Sequence, residues 1–253
     1  MADMPVTAIL GLGHEVGDAV ARRFHELGHH IVAADPNANR LAKARDSVPD
    51  EAVFHHGDLH TRLGLRNCFA SAAESFGRID NAVIIPLIEE PDALLEFVPE
   101  HFDKAITKAL RGAALGMRVF AERIATQDSL PGSSPERQRQ KGTITFILSY
   151  SAVGAMPGYF TESVTQSAIL GAMRAGAVDL AEHGIRVNAI VAVRPRAERS
   201  ETWLVKRTPL GRAALADEIA DAAGFLSSPQ AAIITGATLK LDGGRSVLSG
   251  VLD

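Results

Sequence analysis

The stretch VTAILGLGHEVGDAVARRFHELG, Val6 to Gly28, runs from a short apolar segment through three closely spaced glycines into a helical repeat. Val6 to Leu10 has strand-forming character, and Val16, Ala19, Val20, Phe24 and Leu27 recur at helical spacing until Gly28 stops them. Gly11, Gly13 and Gly17 let a chain turn sharply between strand and helix. Backbone amides at such a helix start are unpaired donors suited to the pyrophosphate of a dinucleotide. The next apolar run, Ile31 to Ala34, ends in Asp35, where a carboxylate can accept hydrogen bonds from ribose hydroxyls and repel a 2′-phosphate. Gly11, Gly13, Val16, Gly17 and Asp35 therefore point to a dinucleotide, NAD rather than NADP. The alternative is a plain tight turn, with Asp35 merely capping a helix from Asn37 onward.

Outward from this unit the alternation continues. Val53 to His55, Asn81 to Ile85, Thr143 to Leu148, Ile185 to Val191 and Thr238 to Leu241 are further strand candidates. Runs that are apolar on both faces belong to a parallel sheet covered on both sides. Phe102 to Thr126 and Thr161 to His183 read as long helices, the second stopped by Gly184. The expectation is α/β: a single-domain doubly wound Rossmann fold over residues 1–253, with a mostly parallel seven-stranded sheet. Gln127 to Gly142 is polar, with Pro and Gly and no apolar period, and reads as a surface loop before the fifth strand.

Composition excludes several classes. A chain of 253 residues, 46% hydrophobic, can bury one large core. The net charge of −4, with both signs spread along the chain, does not suit a nucleic-acid surface, and a small molecule or a protein is the expected partner. The single cysteine, Cys68, excludes an internal disulfide. The start MADMPVTAIL lacks a signal-peptide pattern, and the apolar runs are too short or too interrupted to cross a bilayer. A cytoplasmic location without membrane attachment is expected.

Beyond the glycine turn, Asp58 and Leu59 in HHGDL, GRID at Gly77 to Asp80, GIRVNA at Gly184 to Ala189, PLGR at Pro209 to Arg212, EIADAAGFLSS from Glu218, and ITG with LDGG near the end complete a pattern. In it the chain resembles the short-chain dehydrogenase/reductase family over nearly its whole length. The resemblance implies an NAD-dependent oxidoreductase of a carbonyl or alcohol, with Gly11 and Gly17 on the family's first and third turn glycines and Asp58 and Leu59 at the adenine.

The same resemblance exposes departures. Glu15 replaces the second motif glycine, and a carboxylate there repels a pyrophosphate unless it points to solvent. Ile84, Ile85, Pro86 and Leu87 stand where the family has NNAG, and Ala192 and Val193 where a PG pair lies against the nicotinamide. Ser149 aligns with the family's substrate-steadying serine, Glu162 with its proton-exchanging tyrosine, Gln166 with the lysine four residues later and Ala109 with its relay asparagine. Tyr150 and Tyr159, the only tyrosines, have no lysine at that spacing. A glutamate, ordinarily ionised at neutral pH, is a better base than acid.

Three functions follow as expectations: an NAD-linked oxidoreductase with Ser149, Glu162 and Gln166 as an altered acid–base centre; a catalytically inactive binding or assembly partner; or a non-redox dehydratase, isomerase or cyclase with Glu162 as base. His55, His56 and His60 show no closed ligand set, so no metal is expected. The basic loop Arg194 to Arg207 matches the family's substrate lid, and the acids from Glu89 to Glu100 read as a solvated face. Ala- and Gly-rich helices (RGAALG, SAILGAMRAGA) correspond to the family's subunit interfaces, implying a homodimer or homotetramer.

Overall fold

The computed structural model describes residues 4–12, 15–46, 48, 51–86, 92–129, 140–193 and 206–249. Seven strands, β1 (Val6–Leu10), β2 (His30–Asp35), β3 (Val53–His56), β4 (Asn81–Ile84), β5 (Gly142–Ser149), β6 (Ile185–Ala192) and β7 (Thr238–Leu241), form one sheet in the order β3-β2-β1-β4-β5-β6-β7. Each of the six pairings is parallel. The strand order reverses between β1 and β4, which opens a crevice at their carboxyl ends.

Alternation along the strands divides the core in two. Val6, Ala8 and Leu10 face one layer, and Ile9 faces the other. The first layer is closed by α3 (Arg62–Phe76), α5 (Gly112–Ile124) and α6 (Phe160–Asp179). The second is closed by α1 (Glu15–Glu26), α2 (Ala38–Arg45) and α7 (Ala216–Ser227). Gly28 and Gly184 end their helical runs with positive φ, 82° and 72°, a conformation that favours glycine.

The long helix expected from Phe102 is observed as one continuous helical run with a π segment inside it. It is α4 (Pro99–Ala105), a π-helical segment (Ile106–Arg111) and then α5. An extra residue per turn has no signature in an apolar period, and such segments concentrate at functional sites. Most of the expected loop before β5, residues 130–139, lies outside the described residues. Among the described residues no helix is long and apolar enough to cross a membrane, and no group of three or more His, Cys, Asp or Glu is placed to hold a metal ion.

At the amino ends of the central strands a polar network crosses the sheet. Thr7 Oγ1 lies 2.8 Å from His29 Nδ1, Asn81 Nδ2 donates to Thr7 Oγ1 at 3.3 Å, and Thr143 Oγ1 donates to Asn81 Oδ1 at 2.7 Å. Burial pushes His29 down to about 4, against the opposing pull of the Asp80 carboxylate. Unfolding returns the ring to its ordinary value near 6.5, so the unfolded chain binds the extra proton first as pH falls. Stability is therefore full above pH 6.5 and lost between 6.5 and about 4, by roughly 3 kcal/mol from this group. Urea unfolding at pH 7 and pH 5 should show about 2 kcal/mol of that loss, the rest appearing below pH 5, and His29→Gln should flatten it.

Candidate functional site

A cleft of about 320 Å³ opens at the carboxyl ends of β1 and β4, within the range of small-molecule sites. Its floor is Leu10, Gly11, Ile84 and Ile85. Gly11 has φ 84°, and a Cβ there would sit 2.6 Å from the Ile85 carbonyl oxygen, so a larger residue would push β1 away from β4. Gly17 N donates to Leu12 O at 2.6 Å, and a Cβ on Gly17 would lie 1.9 Å from that oxygen. Both glycines are thus required by the turn itself. Val16 is buried beside them, and Gly13 lies outside the described residues.

Asp35 ends β2 and is fully buried. Its Oδ2 accepts from Leu12 N at 2.9 Å, its Oδ1 accepts from Asn37 N at 2.7 Å, and Arg40 Nη1 lies 3.7 Å from Oδ1. The alternative reading of Asp35 as a helix cap does not hold. α2 is capped by Asn37, whose Oδ1 accepts from Asn39 N at 3.0 Å and Arg40 N at 3.2 Å. Asp35 thus commits both carboxylate oxygens to the turn at the edge of the cleft. Asp58 and Leu59 line the same wall. The residues present fit the adenosine half of a dinucleotide.

The phosphate position is less welcoming. Glu15 opens α1 and is exposed, with Asp18 in the same first turn. Burial raises the Asp18 carboxyl above its ordinary range, Arg22 and Lys43 pull it back, and Glu15 adds to the rise. Two acids at a helix start suit the helix dipole and compete with a phosphate for the same amides.

At the far half of the crevice, Ser149 ends β5 opposite Ala192 on β6. Ser149 caps a 3₁₀ turn, Tyr150–Ala152, its Oγ accepting from Ser151 N at 3.4 Å. Glu162 and Gln166 lie one turn apart on α6 and are each 1% exposed. Gln166 Oε1 accepts from Ser149 N at 3.4 Å and its Nε2 donates to Pro86 O at 3.4 Å, tying β5 to the end of β4. Glu162 Oε1 accepts from Ser151 Oγ at 2.8 Å. The structure thus brings Gln166 to Ser149 and Glu162 to Ser151. Ser151 was not singled out from the sequence. Its only signal is a second serine in SYS, and which serine meets Glu162 depends on the path of the intervening loop.

Ala109 lies in the π segment and lines the cleft. Val193 is buried, its N–H donating to Leu241 O at 3.3 Å. Leu87 and residues 194–205 of the expected lid lie outside the described residues, as do Glu89 and Glu90. Asp92, read from the sequence as a solvated acid, caps α6 instead. Its Oδ1 accepts from Thr161 N at 2.9 Å, its Oδ2 from Thr161 Oγ1, and its backbone oxygen from Phe160 N at 3.0 Å. Tyr150 carries the Arg245 guanidinium over its ring at 5.1 Å, and Tyr159 precedes α6.

A family model described as enoyl-(acyl carrier protein) reductase matches residues 11–246. A short-chain dehydrogenase of Neurospora crassa is 30% identical, the match covering 93% of this chain and 95% of that protein. The meso-2,3-butanediol dehydrogenase of Serratia marcescens is 27% identical over 98% of this chain and 97% of its own. A crystal structure of 3-ketoacyl-(acyl-carrier-protein) reductase from Brucella melitensis, complexed with NADH, superposes with a TM-score of 0.85 at 26% identity, covering 97% of this chain and 100% of that one.

The Ser151–Glu162 contact generates a stability prediction. Glu162→Ala leaves a buried hydroxyl unpaired and opens a cavity, and should cost about 2–4 kcal/mol, whereas Glu162→Gln keeps an acceptor and should cost about 1 kcal/mol or less. Chemical unfolding of the two variants checks the order.

Proposed function

Because the chain belongs to the short-chain dehydrogenase/reductase family, we propose that it is an NAD-dependent oxidoreductase acting on a carbonyl or alcohol of a small molecule. The observation that carries this reading is the cleft at the β1–β4 reversal, with the buried Asp35 carboxylate held by Leu12 N and Asn37 N beside Asp58 and Leu59. A 2′-phosphate would meet that carboxylate, so NAD is the favoured form. The NADH in the Brucella melitensis reductase supports a nicotinamide cofactor on this scaffold.

A nicotinamide dinucleotide, which the cleft beside Asp58 and Leu59 would hold, would supply hydride-transfer chemistry. This chain's own groups handle the oxygen and its proton. Ser149, at the end of β5, steadies the oxygen; Ser151 passes the hydroxyl proton to the Glu162 carboxylate 2.8 Å away; Gln166 fixes Ser149 through its backbone and so positions the pair. A carboxylate acceptor favours the alcohol-oxidising direction. The second reading, a nucleotide-binding member without turnover, is favoured by one observation: Glu162 and Gln166 are both 1% exposed and engaged inside the protein. Assembly into dimers or tetramers through α5 and α6 belongs to either reading, with Val164 and Val178 exposed on α6 at 38% and 77%.

Calorimetric titration with NADH should give saturable binding well below millimolar, and Asp58→Ala should weaken it about tenfold. No uptake at millimolar NADH sinks the reading. With meso-2,3-butanediol and NAD as probes, Glu162→Gln should lower kcat by roughly 10²–10⁴ with NADH affinity kept. Unchanged turnover removes Glu162 from the chemistry, and NADH binding without turnover of any alcohol in a broad panel selects the second reading.

A further inference from the structure

Glu162 meets Ser151 across the gap between α6 and the 3₁₀ turn after β5, so the contact depends on how those two elements are held. On the carboxyl side of Glu162, Gln166 Oε1 accepts from Ser149 N at 3.4 Å and Ser167 Oγ donates to Ala152 O at 3.2 Å. On its amino side α6 has no cap of its own, because Tyr159, the residue that precedes it, offers the first amides no side-chain acceptor. The first N–H groups of a helix find no partner within it and need acceptors from elsewhere. Asp92 serves two of them from far away in sequence. Its Oδ1 accepts from Thr161 N at 2.9 Å, its Oδ2 from Thr161 Oγ1, and its backbone oxygen from Phe160 N at 3.0 Å.

Thr161 is bonded to Glu162, so a fixed Thr161 backbone fixes where the Glu162 side chain starts. Asp92 and Thr161 both line the cleft, while Ser151 and Glu162, 2% and 1% exposed, do not. The cap thus joins the cleft wall to the acid–base centre. A carboxylate accepts a proton only within hydrogen-bond reach of its donor, and the Ser151–Glu162 contact stands at 2.8 Å.

We infer that Asp92 is the positioning residue of the acid–base centre: from the cleft wall it fixes the start of α6 and thereby holds the Glu162 carboxylate at Ser151. The inference rests on the reading of Glu162 as proton acceptor and adds the group that acts through it. Asp92 itself exchanges no proton.

The test is a double-mutant cycle on kcat over the wild type, D92A, E162Q and D92A/E162Q, with saturating meso-2,3-butanediol and NAD as probes, extended to D92N and T161V. D92A should lower kcat about ten- to hundredfold through misplacement of the carboxylate. In the E162Q background the same substitution should change kcat by less than about twofold, because a residue that acts through Glu162 has nothing left to position. D92N keeps an acceptor for Thr161 N and should bring kcat back to within about threefold of the wild type. T161V removes the hydroxyl contact alone and should lower kcat about threefold or more. Cycled against E162Q, it decides the question where D92A does not fold. An equal loss in the wild-type and E162Q backgrounds overturns the inference and leaves Asp92 a stabilising cap only. Unchanged kcat in D92A or T161V overturns it too, as does a D92N no better than D92A, and each of these leaves the reading of Glu162 intact. A wild type that turns over no alcohol in a broad panel, or an E162Q variant as fast as the wild type, overturns the reading and the inference together.

Discussion

The tight turn after β1 is the constraint on which the architecture depends. Three contacts meet within a few residues: Gly11 against the Ile85 carbonyl, Gly17 N on Leu12 O, and Leu12 N on the buried Asp35 carboxylate. The first sets how close β1 and β4 approach, the second how α1 leaves the sheet, and the third joins the ends of β1 and β2. The crevice at the strand-order reversal has its floor from the first and its wall from the third. Asp35 is therefore a structural residue of the turn at the very edge of the cleft. A charge buried this completely is tolerable only because two amides and a nearby guanidinium face it.

The two halves of the crevice have been treated differently. At the β1–β4 half, Asp58 and Leu59 line an open cleft beside the turn that the buried Asp35 holds. At the other half the altered positions are drawn into the protein's own hydrogen bonding. Gln166 spans from the end of β5 to the end of β4 with a neutral amide that donates and accepts at once. Glu162 binds a serine hydroxyl. A glutamate in this place needs a donor, since a buried carboxylate without one is costly, and Ser151 supplies it. The substitutions are mutually consistent: each new polar side chain finds a partner made available by the path of the 3₁₀ turn after β5.

Much of the fold was legible because strands flanked by glycine and helices with regular apolar spacing carry their own signal. Val6–Leu10 and Thr238–Leu241 are observed where the patterns put them, and β2 differs only by its flanking residues His30 and Asp35. The positive-φ stops at Gly28 and Gly184 were legible for the same reason. The π segment was not, since an apolar stripe continues through it. Nor was the Ser151–Glu162 pairing, or the capping of α6 by Asp92 from 69 positions away, because both depend on how loops return to the sheet. A charge in a loop reads as solvated until its long-range partner is known. Exposure to a cleft is equally invisible in sequence.

Asp92 also links the two halves. Through Thr161 and the Phe160 amide it fastens the start of α6, and Phe97, Phe102 and Phe160 pack around the same junction with ring centroids 5.5–6.2 Å apart. Phe102 belongs to α4, and Phe160 and Glu162 belong to α6. α4 is thus clamped to the helix that carries Glu162 and Gln166, by one acid and three aromatic rings. The same clamp fixes the amino end of α6, where Glu162 holds Ser151. The π segment lies between the α4 anchor and the rigid α5 packed in the core. Such segments are rare and recur at functional sites, and this one meets the cleft through Lys108 and Ala109. The position of Ala109 within that segment follows from the same logic: a small side chain leaves the segment free to adjust against the cleft without losing a polar contact.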